Sequence, residues 1–465
     1  MVGTKRLHKG SGIVISDAVT QRKVQLFAGI DAGSTETRVC LADKKDAKVF
    51  VGDDRQKALD LLMTSYSIPS TYATIADARE LTPVSENLED NYDSNVILVS
   101  CDAAQPLLGR QRVIRGRKIS DAMGLVPMYL DSSTNKMDNA IFYTNIIDAL
   151  GYAIMQKYNG QIPAEVEVYL SLSVRPKELT TKCKEIMRNN LLGSFMFVWK
   201  GMFSKVSMSI TIAGLDFTTE PEAEIEGTLS VCDLRAEAGI NPDENTQLAD
   251  QLADSSCFIH IEGGGSSIGV EVLRNRKIID ACSNTFQLGG NYLSQLFIDR
   301  YREETGRTVT KDVADNAIIS CTLRDGRNIL DVAEIVAQCK DQVGQDILER
   351  LRHNVIDIIS DLTLRDVEFI TLGGRLFLPD GAGNTIATFF GEYVQQISQH
   401  TEIIVLPENF IAQGNLLSGM SGEFASVVGV YDNAPSAGYA APATEDGDNS
   451  DTEEESGSSD LFLPN

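Results

Sequence analysis

The fold of this chain is decided by two glycine-rich stretches, Gly29-Ile30-Asp31-Ala32-Gly33-Ser34-Thr35-Glu36-Thr37-Arg38-Val39 and Ile259-His260-Ile261-Glu262-Gly263-Gly264-Gly265-Ser266-Ser267-Ile268-Gly269-Val270. Each has the same order of parts: an apolar strand, an acid at its end, a Gly/Ser turn and a second strand. We call residues 31–35 the first glycine turn and residues 262–267 the second glycine turn. One such stretch is typical of any tight hairpin. Two copies, each opening one half of the chain, predict duplicated α/β domains that hold a phosphate chain from both sides.

The residue types in both turns suit ATP with Mg²⁺. Such a ligand requires backbone N–H donors, small residues that permit close approach, hydroxyl groups, and carboxylates that hold the waters of the metal. Asp31 and Glu262 end their strands and are the predicted metal-site and catalytic acids. The predicted phosphate-binding residues are Gly33, Ser34, Thr35, Gly264, Gly265, Ser266 and Ser267. The alternative is two unrelated hairpin turns.

Two further glycine pairs belong to the predicted nucleotide site. The stretch Gln287-Leu288-Gly289-Gly290-Asn291-Tyr292-Leu293 opens a helix whose N–H groups or polar edge would face the nucleotide. The stretch Ile370-Thr371-Leu372-Gly373-Gly374-Arg375-Leu376 is a strand that runs into glycines, where the backbone can approach a flat adenine or a ribose. The alternatives are a plain helix N-terminus and a plain strand end.

A group of acids in Thr218-Thr219-Glu220-Pro221-Glu222-Ala223-Glu224 is the predicted hydrolytic element. Hydrolysis requires a group that orients or deprotonates a water in line with the γ-phosphate, and a carboxylate in a strand-to-helix turn can do this. Glu220 and Glu222 are the two candidates. The alternative is an acidic helix N-terminus, which the helix dipole favours.

Composition limits the classes of protein that the chain can belong to. Its 465 residues, 43% hydrophobic and 23% charged, predict a globular protein of about two to three domains. The apolar runs are too short to cross a bilayer, and no apolar segment follows the basic N-terminus as in a secretory signal. Eight scattered cysteines without a CxxC pair predict reduced thiols and a cytoplasmic location. The net charge of −25 argues against direct binding of nucleic acid.

The domain organisation follows from the motifs and the charge pattern. We predict a flexible basic arm over residues 1–24 and a first domain over 25–235, with an inserted subdomain at about 43–135. An acidic, turn-rich surface segment at 236–256 precedes a second domain at 257–432. Residues 433–465 read as a disordered acidic tail, since they lack the apolar content to fold alone.

Together the five motifs resemble those of the actin, sugar-kinase and heat-shock-chaperone ATPase superfamily, over about residues 25–432. The stretch Pro407-Glu408-Asn409-Phe410-Ile411-Ala412-Gln413-Gly414-Asn415-Leu416 is similar to the segment before the last core helix of ParM-type plasmid actins. The resemblance implies two RNase H-like, actin-like domains that flank a nucleotide cleft. It also implies ATP and Mg²⁺ as ligands, with Glu220 or Glu222 positioning the water and Gly373, Gly374 and Arg375 at the adenosine.

The chain departs from the family pattern in its second glycine turn. Glu262 stands where the family usually has Asp, and Ile268-Gly269 stands where a second acid is usual. These departures bear on the magnesium geometry and the rate of hydrolysis. The register of the catalytic glutamate is also open, because Glu220 fits a Glu-Pro-x-Ala pattern while Glu222 fits the Pro-Glu pattern of plasmid actins.

Among the branches of the superfamily, we expect a filament-forming bacterial, plasmid or phage actin that segregates DNA or positions cell contents. No sugar-binding constellation is recognisable, and about 30 residues after 432 leave no room for a chaperone's peptide-binding region. The alternatives are a non-filamentous ATPase, such as a chaperone-like or reactivating factor, and a small-molecule kinase.

Three partner predictions accompany this function. DNA would be contacted through a small basic adaptor, because the protein surface is acidic. The peptide at 460–465, Asp-Leu-Phe-Leu-Pro-Asn, would bind a partner groove, or the tail would be a charged brush that limits bundling. No membrane contact is expected, since Leu461-Phe462-Leu463 is short and has acidic flanks.

Overall fold

A computed structural model describes residues 20–421, except 35, 53, 71, 75–96, 102–112, 116–135, 160, 201–204, 276, 326 and 358–362. Three sequence predictions lie outside the described residues. They are the role of Thr35, most of the basic arm at 1–19, and the acidic tail with its peptide at 460–465.

The described residues form seventeen strands and ten α-helices. The strands are β1 (Thr20–Ala32), β2 (Glu36–Asp43), β3 (Ser65–Pro69), β4 (Tyr72–Thr74), β5 (Ile97–Cys101), β6 (Val113–Arg115), β7 (Pro163–Val174), β8 (Gly193–Lys200), β9 (Lys205–Thr219), β10 (Cys257–Gly263), β11 (Ile268–Arg274), β12 (Lys277–Ile278), β13 (Asn284–Phe286), β14 (Thr322–Asp325), β15 (Asn328–Asp331), β16 (Phe369–Gly373) and β17 (Glu402–Val405). The helices are α1 (Arg55–Met63), α2 (Ala140–Lys157), α3 (Thr181–Leu191), α4 (Glu220–Glu237), α5 (Pro242–Asp254), α6 (Gly290–Thr305), α7 (Lys311–Ser320), α8 (Ala333–Leu351), α9 (Ile386–Ile397) and α10 (Ile411–Ser421).

The first sheet has seven strands in the order β3-β2-β1-β7-β9-β8-β5. β1 lies in the middle of the sheet, and its run Leu26–Ile30 is apolar and buried, as expected of a strand with both faces covered. Helix α2 packs on this sheet. Its apolar residues, such as Phe142, Ile146 and Leu150, are fully buried in the core of this sheet.

The second sheet repeats the central pattern of the first. In the first sheet β1 pairs antiparallel with β2 and parallel with β7, which pairs parallel with β9. In the second sheet β10 pairs antiparallel with β11 and parallel with β16, which pairs parallel with β17. Each glycine turn joins the antiparallel pair of its sheet. This repeat confirms the predicted α/β fold with duplicated halves.

Helix α4 lies between the two sheets. On one side it packs against α10, which itself lies on β1 of the first sheet. On the other side Ile225 of α4 and Leu252 of α5 join Phe258, Leu273 and Phe369 of the second sheet in a separate apolar cluster. The first turn of α4, which carries Glu220, is therefore held at the joint between the two halves.

Several predicted boundaries differ from the structure. β1 begins at Thr20, so ordered structure starts before the predicted end of the arm at residue 24. The segment at 236–256 is not turn-rich, because α5 occupies most of it with Ala249 and Leu252 buried. The inserted region at 43–135 contributes β3 and β5 to the edges of the first sheet. The last helix of the predicted second domain, α10, packs on the first sheet through Asn415, whose Nδ2 donates to the Ile30 carbonyl at 2.7 Å.

Two further sequence expectations concern membranes and cysteines. Among the described helices, none is long and apolar enough to cross a membrane. Of the eight cysteines, seven are recorded as free thiols: Cys40, Cys183, Cys232, Cys257, Cys282, Cys321 and Cys339.

The crossing of α4 and α10 leads to a stability prediction. A Cβ atom added at Gly414 would overlap the backbone carbonyl oxygen of Ala223, so the two helices would have to separate. We expect Gly414→Ala to lower the free energy of unfolding by about 2 to 3 kcal/mol, as is usual for overpacking a buried contact. Urea unfolding measures this change. Ser418→Ala, on a partly exposed site of the same helix, is the matched control, and equal stability of the two variants would contradict the prediction.

Candidate functional site

Both glycine turns line one pocket of about 460 Å³. Its size is within the range of small-molecule sites. The pocket collects residues from both sheets and from the start of α4. The predicted site residues that line it are Asp31, Gly33, Ser34, Glu220, Glu262, Gly264, Gly265, Ser266, Ser267, Gly290 and Arg375.

The first glycine turn is supported by Ser70, the residue that follows β3. Ser70 Oγ donates to the Gly33 carbonyl at 2.7 Å and lies 3.0 Å from Thr37 Oγ1, which fixes the turn against its own second strand. The Ser34 hydroxyl is buried and has no hydrogen-bond partner in the described part of the chain. A buried hydroxyl in this state is one that a phosphate oxygen would satisfy.

The second glycine turn is held by the start of α6. The Gly290 N–H donates to the Gly264 carbonyl at 3.1 Å, and the Asn291 N–H donates to the Gly265 carbonyl at 2.6 Å. Two N–H groups at the start of this helix, where the sequence predicted N–H groups or a polar edge facing the nucleotide, therefore fix the turn. Gly290 still lines the pocket, whereas Gly289 does not.

Three carboxylates and a lysine form the polar end of the pocket. Asp31, Glu220 and Glu262 all line it, together with Lys136. Lys136 Nζ contacts Glu220 Oε1 at 2.5 Å and the Ala32 carbonyl at 3.4 Å. Both side chains of the pair are buried, with Lys136 3% and Glu220 7% exposed. Lys136 lies in a short 3-10 turn before α2.

Burial, together with neighbouring carboxylates, raises the pKa values of Asp31 and Glu262. Burial raises the pKa of Asp31 to about 6, and the Glu220 carboxylate adds to the rise. Burial also raises the pKa of Glu262 well above its usual range, with contributions from Glu220, Glu224 and Asp31. Buried carboxylates that share one pocket favour a bound cation. No group of three or more His, Cys, Asp or Glu in metal-binding geometry occurs among the described residues, so a cation would take its other oxygens from water or ligand.

The two candidate glutamates of α4 have different surroundings. Glu220 lines the pocket, whereas Glu222 does not. Glu222 Oε2 accepts a hydrogen bond from Thr218 Oγ1 at 2.5 Å, and its backbone N–H is capped by Thr219 Oγ1 at 3.2 Å. The geometry therefore favours Glu220 as the group next to the ligand.

Gly373 and Gly374 do not line the pocket themselves. A Cβ atom at Gly373 would overlap the carboxylate of Glu224, which occupies the space that the missing side chain leaves. The Gly374 N–H donates to Glu224 Oε1 at 3.1 Å. The glycine pair thus receives a buried carboxylate, in a place where the sequence suggested adenine or ribose.

Charged side chains from both halves meet at the pocket. Arg375, which follows β16, forms an ion pair with Glu36 of β2. Arg38 lies 3.5 Å from the same carboxylate and is opposite Asp31 in the β1–β2 register. Sequence reasoning did not single out Arg38 or Glu36, although the register of a tight hairpin could have placed Arg38 beside Asp31.

The other end of the pocket is apolar. Its apolar residues are Leu293, Ile318, Ile319, Leu376, Leu378 and Pro379. Two ion pairs border this end: Lys311 with Asp315 at 2.6 Å, and the buried Lys340 with Asp380 at 3.0 Å. A pocket with one charged end and one apolar end suits a ligand that carries phosphates on one side and a flat ring on the other.

Solved structures with a similar fold include an archaeal actin homolog and ParM proteins. Ta0583, an archaeal actin homolog, matches with a TM-score of 0.56 and 14% identity, covering 85% of this chain and 98% of its own. ParM of Bacillus thuringiensis with ATP matches with a TM-score of 0.51 and 12% identity, covering 85% and 98%. A non-polymerisable quadruple mutant of pCBH ParM matches with a TM-score of 0.54 and 12% identity, covering 86% and 99%.

These similarities show that the chain has the actin-like fold, and they confirm the predicted fold class. No protein-family model matches the chain, and no curated protein matches its sequence.

Proposed function

We propose that this chain is an ATPase that binds ATP with Mg²⁺ in the pocket between its two glycine turns. The observation that carries the proposal is the convergence of both turns, Asp31, Glu262 and Glu220 on one pocket. Structures of similar fold are described with ATP, with ADP and with AMPPNP, which supports a nucleotide as the ligand. The apolar end of the pocket would receive the base.

The triphosphate would lie between the two turns, where backbone N–H groups and the unsatisfied Ser34 hydroxyl face it. Arg38 and Lys136 would offset part of its negative charge. Asp31 and Glu262 would hold Mg²⁺ through its waters, and the bound cation would offset the cost of keeping these two buried carboxylates ionised. Bound Mg²⁺ would neutralise charge on the phosphate oxygens.

In the hydrolytic step, Glu220 would orient a water in line with the γ-phosphorus. The water oxygen forms a bond to phosphorus, the bond to the bridging oxygen of ADP breaks, and the proton of the water leaves with the phosphate product or to the Glu220 carboxylate. Lys136 fixes the Glu220 carboxylate through the 2.5 Å contact. The glutamate is thus positioned before the nucleotide arrives, so little reorganisation is needed in the reaction.

Nucleotide binding is tested by thermal unfolding of the full chain with ATP, ADP or GTP, each with and without Mg²⁺. We expect the Tm to rise with the logarithm of the ATP concentration when Mg²⁺ is present. At an ATP concentration of 100 times Kd, the free energy of unfolding should increase by about 2.7 kcal/mol. The GTP samples report the choice of base. An unchanged Tm with every nucleotide at millimolar concentration would refute the proposed site.

We further propose that ATP binding drives assembly of the protein into filaments in the cytoplasm, with DNA carried through a small basic adaptor. The actin-like fold supports self-association, and the net charge of −25 supports an adaptor of opposite charge. Sedimentation with ATP and with ADP tests assembly. Polymer that pellets with ATP is expected, and ATPase activity per molecule should rise above a critical protein concentration. Constant specific activity without pelletable polymer would favour a non-filamentous ATPase.

A further inference from the structure

Glu224 is a buried acid with no role in the hydrolytic step proposed above. It lies one turn after Glu220 on α4, so the two carboxylates lie on the same side of the helix. Its side chain is fully buried and reaches from α4 into the second sheet. One of its oxygens accepts from the Gly374 N–H at 3.1 Å, and the other lies 3.1 Å from His260 Nε2.

His260 is held from its other side by a threonine. Its Nδ1 lies 2.8 Å from Thr371 Oγ1, and that hydroxyl donates to the Ile259 carbonyl at 3.4 Å. Which of the two ring nitrogens donates depends on the tautomer of His260. The imidazole is fully buried, and so is Thr371. Each ring nitrogen therefore has one fixed partner, which sets the orientation of the ring.

The carboxylate of Glu224 links α4, β10 and the turn after β16, and each of these elements carries a residue of the site. Glu220 begins α4. His260 lies two residues before Glu262 on β10, and Gly374 directly precedes Arg375 at the end of β16. Side chains two residues apart on a strand share a face, so His260 and Glu262 both face α4. A shift of Glu224 would change the position of Glu220 relative to the second glycine turn and to the Gly373-Gly374 turn.

We propose that Glu224 is a positioning residue for hydrolysis, which fixes the start of α4 against the second glycine turn and the Gly373-Gly374 turn. This inference rests on the proposed function, because it assigns a task to Glu224 only if Glu220 orients the water. Glu224 itself does not line the pocket. Its loss should therefore slow hydrolysis much more than it weakens binding.

The test compares Glu224→Ala and Glu224→Gln of the full chain in phosphate release at saturating ATP and in ATP affinity. We expect Glu224→Ala to slow release at saturation at least 10-fold, with affinity within threefold of wild type. Glu224→Gln should recover to within threefold, since its carbonyl oxygen can accept from Gly374 and its amide can donate to His260 Nε2. The exposed Glu226→Gln, on the same helix, is the control and should match wild type.

Two results would overturn the inference. One is a wild-type rate for Glu224→Ala at saturating ATP. The other is an equal loss of rate and affinity, which would indicate a general loosening of the cleft.

Thr371→Val provides a second variant if Glu224→Ala does not fold. It keeps the shape of the side chain and removes the hydroxyl that contacts His260 Nδ1 and the Ile259 carbonyl. We expect it to slow phosphate release at least threefold with unchanged affinity, and a wild-type rate would count against the inference. Failure of the proposed function itself would be seen separately, as absence of ATP binding or phosphate release by the wild-type chain.

Discussion

Glu220→Gln is expected to slow phosphate release from ATP by at least about 100-fold, while ATP affinity stays close to that of the wild type. Glutamine has nearly the same size and can still contact Lys136 through its carbonyl oxygen, so the pocket should keep its shape. The glutamine side chain cannot accept a proton from the attacking water, and it orients that water less strongly than a carboxylate does. The removed interaction therefore acts in the transition state, and the loss should appear in kcat and not in KM.

The matched comparison is Glu222→Gln, two residues away on the same helix turn. Glu222 does not line the pocket and is bonded to Thr218, so this variant should hydrolyse ATP at close to the wild-type rate. Single-turnover phosphate release, with ATP bound before Mg²⁺ is added, measures both variants. A slow Glu222→Gln together with a fast Glu220→Gln would reverse the assignment of the two glutamates.

The parts of the site that sequence could predict are those fixed by local structure. A strand that ends in an acid and a Gly/Ser turn specifies its own hairpin, and both glycine turns were found because each is complete within about ten residues. The helix that begins at Glu220 could be predicted for the same reason. Its Thr219 cap and its proline in the first turn are local signals.

The parts that sequence could not predict depend on packing between distant segments. Lys136 reaches Glu220 across 84 residues, and nothing in its neighbouring sequence marks it. Glu224 meets His260 only because α4 packs on the second sheet. The sequence shows the Gly373-Gly374 pair but not that the Glu224 carboxylate packs beside it. The sequence therefore predicts a nucleotide in the space that this carboxylate occupies. The sequence does indicate helix α5, because Leu248, Ala249 and Leu252 have helical spacing within the acidic segment.

Glu271→Gln is expected to change the pH dependence of stability. Glu271 lies on β11 opposite His260, is 1% exposed, and neither of its carboxylate oxygens has a well-aligned hydrogen-bond partner in the described part of the chain. Burial raises its pKa to about 8. The Glu222 and Asp280 carboxylates add to the rise, and the Thr219 hydroxyl offsets part of it.

The sign of the effect follows from proton binding. An ordinary glutamate has a pKa of 4.5, so between pH 4.5 and about 8 the unfolded chain has released a proton that the folded chain keeps. The folded state then binds more protons, and the free energy of unfolding falls as pH rises, by about 1.4 kcal/mol per pH unit for one such group. Above the folded pKa the fall stops. Glutamine does not titrate, so this component of the slope disappears in the variant.

Urea unfolding at pH 5.5, 6.5 and 7.5 measures the effect as a difference between variant and wild type. Relative to wild type, Glu271→Gln should gain about 2 to 3 kcal/mol of stability between pH 5.5 and 7.5, whatever its stability at pH 5.5. The exposed Glu226→Gln should show no such gain. A difference between Glu271→Gln and wild type that is constant across the three pH values would mean that Glu271 is already ionised in the folded protein. Its charge would then have to be balanced inside the joint between the two sheets, where His260 is the nearest basic side chain in the strand register.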